Sequence, residues 1–224
     1  MLPDFKLALE MANYANTAYF FHNVSGKNAK AFVDNRAERQ VVSFTGTDSV
    51  LDFLQDITAN LVERPWAGFV HEGFAHYFDE VREGVASLLN KTTPVFVNGH
   101  SLGGGSALLC ALYLQSQGYN VAGVYTFGCP KVGGDSFLAK FAASQIPSLR
   151  FVNSIDLVPR LLSAPLYGHV NTPVYMKDGA ILASEEEISA FAKLEFAGTI
   201  VKELVCHKME NYLADLMTLS EGMV

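Results

Sequence analysis

Cysteine is scarce. The chain has three (Cys110, Cys129 and Cys206), widely spaced and odd in number, which makes neither a disulfide framework nor the paired spacing of a zinc site. They read as mostly buried thiols. Charge is thin too. Charged residues are 17% of the chain and apolar residues 50%, which excludes a disordered or highly charged chain. Positive charge is the scarcer sign, with 16 Lys and Arg against 23 Asp and Glu and a net charge of −7. There is no basic cluster, so nucleic acid is not an expected partner. No apolar run approaches the roughly 18 residues of a membrane span. The first residues, Met1-Leu-Pro-Asp-Phe-Lys6, lack the charged region, apolar core and cleavage site of a leader. A cytoplasmic protein is expected, or a secreted one whose leader is absent from this sequence. Internal repeats, low-complexity tracts and linkers are also missing. One domain over residues 1–224 is the economical reading.

What the chain does have is concentrated in one stretch, Thr93-Pro-Val-Phe-Val-Asn-Gly-His-Ser-Leu-Gly-Gly-Gly-Ser106. Val95, Phe96 and Val97 read as a buried strand, and the apolar segment from Ser106 to Leu114 as a helix. Between them lies Gly99-His-Ser-Leu-Gly103, a G-x-S-x-G pentapeptide. Strand, tight turn with serine at its apex, then helix is the context a nucleophile elbow requires. Gly99 and Gly103 flank a strained turn where side chains would collide with the neighbouring strand and helix. Gly104 and Gly105 allow the helix to lie close to the sheet.

Around this stretch the chain alternates. Helices are predicted over 4–20, about 50–58, 72–90, 135–145, 184–205 and 207–217. Strands are predicted over 30–34, 39–45, 121–127 and 149–152, with a less regular stretch through 64–68. A late hairpin, 173–176 with 180–182, turns at Asp178-Gly179. Alternation of strands and helices predicts an α/β fold, a mostly parallel sheet with helices on both faces.

A serine hydroxyl needs a base, usually histidine, and a group that orients the base. In the α/β-hydrolase order, acid and then histidine follow the serine. Four aspartates come after Ser101. Asp135 falls at a helix start, Asp178 in a hairpin turn and Asp215 in the last helix. Asp156 follows a strand in an apolar setting of Ile155, Leu157 and Val158, where an unpaired charge is costly. It is the expected acid. Only His169 and His207 come later. His207 follows every predicted strand and is favoured as base; His169 suits a structural role. His71 and His76 do not share a helical face, so no metal site is expected. Ser136 in Gly134-Asp-Ser-Phe137 is a minor rival nucleophile. The oxyanion hole is expected from the backbone N–H of Leu102 and from Thr47 in the loop Thr45-Gly-Thr-Asp-Ser49.

The ordered set of segments resembles the class 3 lipase family, the α/β-hydrolases typified by fungal triacylglycerol lipases. The matching segments are Phe44-Thr-Gly-Thr-Asp-Ser49, Val70-His-Glu-Gly-Phe74, Gly99-His-Ser-Leu-Gly103, Tyr125-Thr-Phe-Gly-Cys-Pro-Lys-Val-Gly133, Asn153-Ser-Ile-Asp-Leu-Val-Pro159, Tyr167-Gly-His169, and His207 with Tyr212. The resemblance implies an α/β-hydrolase fold, a triad of Ser101, Asp156 and His207, and an oxyanion hole of Thr47 and Leu102. It implies that Asp56 holds the oxyanion loop and that His169 is structural. Two positions depart from the family pattern: Thr45 stands where arginine is usual, and Asn171 where glycine is frequent. Residues 49–70, with Phe53, Leu54, Leu61 and Trp66, would be a short lid or a fixed wall of the acyl pocket. Residues 184–205 are a second candidate cover.

The expected reaction is carboxylic ester hydrolysis through an acyl-enzyme on Ser101, of a triacylglycerol lipase or carboxylesterase kind. No metal or organic cofactor is called for. The partner would be a lipid or other ester, a lipid being met at a lipid–water interface. Phospholipase A1, feruloyl esterase or acyltransferase activity from the same triad is the alternative among enzymes. A non-catalytic lipid-binding module on a hydrolase fold is the alternative outside them. Acyl-chain preference and oligomeric state are not legible.

Overall fold

The computed structural model describes residues 3–46, 60–153, 156–160, 162, 166–182 and 206–222. Helix α1 (Phe5–Phe20) begins where the Asp4 side chain accepts the Leu7 N–H at 3.0 Å, as an aspartate N-cap does. Strands β1 (Val24–Ser25), β2 (Lys30–Asn35) and β3 (Gln40–Phe44) follow. β2 and β3 make the hairpin expected from the polar run between them, with Asn35 opposite Gln40.

Next come β4 (Leu61–Arg64) and β5 (Gly68–His71), a separate antiparallel pair. They replace the irregular stretch expected here. Strands of four residues are too short for a periodic signal, and Gly68 at φ +81° supplies the turn geometry that pairs them. The rest of the order is α2 (Glu72–Ser87), β6 (Val95–His100), α3 (Leu102–Ser116), β7 (Val121–Phe127), α4 (Asp135–Ser144) and β8 (Ser148–Asn153), then a 3₁₀ turn (Val158–Arg160), β9 (Pro173–Lys177), β10 (Ala180–Ile181) and α5 (Met209–Glu221). α3 starts four residues before its apolar run, because packing holds Gly103–Gly105 helical despite their weak propensity. The helices expected over 50–58 and 184–205 lie outside the described residues.

Eight strands form one sheet in the order β1-β2-β3-β6-β7-β8-β9-β10. β3, β6, β7, β8 and β9 run parallel; antiparallel pairing is confined to the two edges. Successive strand residues face opposite sides, and the core divides accordingly. Val42, Val97 and Val124 pack with Phe74, Leu109 and Phe137 of α2, α3 and α4. Val41, Tyr125 and Phe151 pack with Met11, Tyr212 and Leu216 of α1 and α5. Helices therefore cover both faces. α3 is buried nearly all round, as its uninterrupted apolar run demands.

Among the described residues no helix is long and apolar enough to cross a membrane. Cys110 and Cys129 are buried free thiols; Cys206 is only half-buried, since it sits at the start of the segment leading into α5. The sheet delivers its chemistry-bearing residues to one edge. Ser101 follows β6, Gly128 follows β7 and Asp156 lies just past β8, all at the carboxyl ends of parallel strands, where open α/β sheets place their sites.

Candidate active site

Ser101 joins β6 directly to α3. Its backbone has φ 57° and ψ −127°, a strained conformation for a residue with a side chain. Two bonds hold it. The Ser101 N–H donates to the Phe127 carbonyl at 2.9 Å, and its own carbonyl accepts the Gly104 N–H at 2.9 Å. The flanking glycines are sterically required: a Cβ on Gly99 would sit 2.2 Å from the Gly103 oxygen, and one on Gly103 would sit 2.3 Å from the Phe44 oxygen. Ser101 is buried, and its Oγ has no hydrogen-bond partner among the described residues. Leu102 opens α3. The N–H of a first-turn residue has no intrahelical acceptor and lies at the positive end of the helix dipole.

Asp156 and His207 are both buried, and they meet. Asp156 Oδ2 accepts from His207 Nδ1 at 2.8 Å and from the Tyr212 hydroxyl at 2.6 Å, while Oδ1 accepts the Val158 N–H at 2.9 Å. A carboxylate partner makes His207 Nδ1 the donor. In the neutral ring Nε2 is then a bare acceptor, and it too is buried without a partner among the described residues. A hydroxyl and an imidazole nitrogen are thus left unpaired while the rest of the constellation is bonded. Buried polar atoms are normally satisfied, which sets these two atoms apart from the bonded groups around them. His169 is occupied elsewhere. Its Nε2 donates to the Pro159 carbonyl at 2.7 Å. Burial, with the nearby Arg150 charge, lowers its pKa to about 4.

Several supports were not assigned from sequence. His100, in the pentapeptide itself, donates from Nε2 to the His207 carbonyl at 2.6 Å. That fixes its tautomer, so Nδ1 accepts the Tyr19 hydroxyl at 2.8 Å. The His100 and His207 rings lie 4.5 Å apart. Burial, then the neighbouring His207, pushes the His100 pKa well below its ordinary value, so it stays neutral. Tyr212, met above only as part of a resemblance, is fully buried. Burial and the Asp156 charge drive its hydroxyl pKa well up, keeping it a donor to the carboxylate. Gly128, at φ +58°, leaves room for both partners: a Cβ there would sit 2.8 Å from Asp156 Oδ2 and 2.9 Å from His207 Nδ1.

The other candidates separate clearly. Ser136 Oγ accepts the Phe69 N–H at 2.8 Å at the start of α4, which gives it a structural task. Trp66 stacks edge-on against Phe78 and Tyr113, with centroids 5.7 and 5.6 Å apart. Tyr113 lies about 16 Å along α3 from Leu102 at 1.5 Å per residue, so Trp66 is a core aromatic of the α2–α3 face rather than a neighbour of Ser101. Thr47, Asp56, Phe53 and Leu54 lie outside the described residues. The two departures from the family pattern are accommodated locally. The Thr45 hydroxyl pairs with the Tyr77 hydroxyl at 2.7 Å, and the Asn171 amide donates to Ser148 O and Oγ at 2.8 and 2.9 Å. His71 caps α2, accepting the Gly73 N–H at 3.0 Å. Among the described residues no group of three His, Cys, Asp or Glu side chains could hold a metal ion.

A mostly parallel sheet covered on both faces, with a serine elbow after a central strand, is the α/β-hydrolase fold. The sequence model described as "Lipase (class 3)" matches residues 41–165, and the chain belongs to that family. It is 37% identical over 132 residues to a lipase of Rhizomucor miehei, covering 54% of this chain and 36% of that one. It is 34% identical over 179 residues to secreted mono- and diacylglycerol lipase 1 of Fusarium solani, covering 74% of this chain and 52% of that one. The chain thus spans between about a third and a half of the length of these curated relatives. A solved structure of the Rhizomucor miehei triacylglyceride lipase superposes with a TM-score of 0.66 at 26% identity, covering 76% of this chain and 79% of that one.

Proposed function

We propose that this chain hydrolyses carboxylic esters of acylglycerols through an acyl-enzyme on Ser101. The observation that carries the reading is the pair of buried, unpartnered atoms, Ser101 Oγ and His207 Nε2, beside a His207–Asp156 contact of 2.8 Å. His207 Nε2 takes the serine proton as Oγ attacks the ester carbonyl. Asp156 holds the imidazole in that tautomer and balances the imidazolium. The Leu102 N–H, with Thr47 as second donor, receives the developing oxyanion. The imidazolium returns its proton to the departing alcohol. Water then attacks the acyl-serine with His207 again as base, releasing the acid. No step calls for a metal or organic cofactor.

The substrate class is supported by the relatives' names, a lipase and a mono- and diacylglycerol lipase. Such esters are met at a lipid–water interface. The test is turnover of p-nitrophenyl and glyceride esters by wild type and Ser101→Ala. The variant should keep its urea unfolding midpoint, lose kcat by at least about 10⁴-fold, and escape labelling by a serine-directed phosphonate. A folded S101A protein with wild-type turnover would sink the assignment. Parallel assays on phospholipids and feruloyl esters decide the head group.

A further inference from the structure

Asp215 is buried at 5% exposure, and no cation pairs with it among the described residues. A carboxylate so placed is costly unless its oxygens are used, and both are. Oδ2 accepts the Asn153 side-chain amide at 2.5 Å, and Oδ1 accepts the Gly179 N–H at 2.6 Å. Gly179 belongs to the β9–β10 turn, so Asp215 ties α5 to that hairpin and to the end of β8. Asn153 is the junction. Its carbonyl accepts the Asp156 N–H at 2.9 Å. The Tyr212 hydroxyl donates to Asp156 Oδ2 at 2.6 Å. Tyr212 and Asp215 are three apart on α5, on one face of the helix. The backbone of Asp156 is therefore fixed through Asn153, whose side chain is fixed by Asp215, and the side chain of Asp156 is held by Tyr212 from the same face of α5.

We propose that Asp215 is a positioning residue of the reaction centre: by gripping the Asn153 amide it sets the placement of Asp156 against His207. The proposal rests on the reading of Asp156 and His207 as acid and base. Catalysis is sensitive to displacements of this kind, since about 1 Å of misplacement can cost 100-fold in rate.

The experiment is a swap across the Asp215–Asn153 contact. Asp215→Ala removes the acceptor. Asp215→Leu removes both acceptors at a similar volume. Asn153→Asp sets carboxylate against carboxylate. The double variant N153D/D215N restores a donor–acceptor pair, now donated from position 215, and keeps an acceptor for Gly179. Each single variant should lose kcat by about 10-fold or more with KM held within about 2-fold, and the double variant should recover to within about 3-fold of wild type. A second readout needs no turnover: the downfield proton resonance of His207 Nδ1–H, which should shift or broaden in the single variants and return in the double. A role confined to folding would lower the unfolding midpoint and leave the kcat-against-KM split and the resonance, both taken well below that midpoint, unchanged. Wild-type kcat and resonance in D215L would overturn the proposal, as would a stable double variant that recovers neither. If D215A does not fold, the other three variants decide. If the wild type hydrolyses no ester, the reaction reading fails, and the resonance still decides the placement of His207.

Discussion

The side chain of His100 holds the main chain of His207. Nε2–H of one meets the carbonyl of the other at 2.6 Å, in a fully buried setting. On the proposed reading the residue before the nucleophile thus anchors the base, and the Tyr19 hydroxyl on α1 donates to the other ring nitrogen of His100 at 2.8 Å. His100→Ala leaves a buried carbonyl unpaired, which costs about 1–3 kcal/mol. It also frees the backbone that presents Nε2. We expect kcat for ester hydrolysis to fall by about 10-fold or more with KM little changed, and the urea midpoint to drop. Tyr19→Phe removes the hydroxyl that donates to His100 Nδ1, and its stability loss should be about 1 kcal/mol for that bond. Equal turnover in wild type and a folded H100A would remove the anchor role.

The glycine after β7 is a second sharp case. Gly128 has φ +58°, and its missing Cβ is the space in which Asp156 and His207 meet. Gly128→Ala therefore combines left-handed strain of about 1–2 kcal/mol with a collision against both partners. Activity should fall by about 100-fold or more while circular dichroism keeps its wild-type form. A G128A protein with undiminished kcat/KM would mean that the contact at 2.8 Å between His207 and Asp156 is not the working geometry.

The elbow was legible because everything it needs is local: an apolar strand, glycines two residues either side of Ser101, and an apolar helix within one stretch of chain. Asp156 stood out as a carboxylate in apolar company and His207 by its place after the last strand, and the structure brings the two side chains together. The supports were not legible. His100 and His207 are 107 residues apart, and Asn153 and Asp215 are 62 apart, so nothing in the local pattern couples them. Asp215 looked like an ordinary residue of a final helix. Only the close approach of α5 to the end of β8 makes it a hub. The surroundings of Trp66 were not legible either. A lone tryptophan near a candidate lid invites a substrate role, yet the β4–β5 hairpin, unseen in the sequence, turns it into the core beside Phe78 and Tyr113.

His169 predicts an acid limit to stability that is separate from the chemistry. Its Nε2–H bond to the Pro159 carbonyl does not require a charged ring. Burial first, and then the Arg150 charge, lowers its pKa to about 4, against an ordinary value near 6.5. The unfolded chain takes up a proton at His169 as pH falls below about 6.5, and the folded chain does not until about 4. The contribution of the neutral ring is therefore complete above the higher value and lost progressively across that window, by on the order of 3 kcal/mol. His100, lowered for the same leading reason, adds in the same direction. His169→Gln can still donate to Pro159 and cannot titrate. Urea unfolding of both proteins at pH 7.5 and 4.5 should therefore show a smaller stability loss in H169Q than in wild type, by roughly 2 kcal/mol. Parallel losses in the two proteins would show that the buried ring of His169 is not what acid attacks.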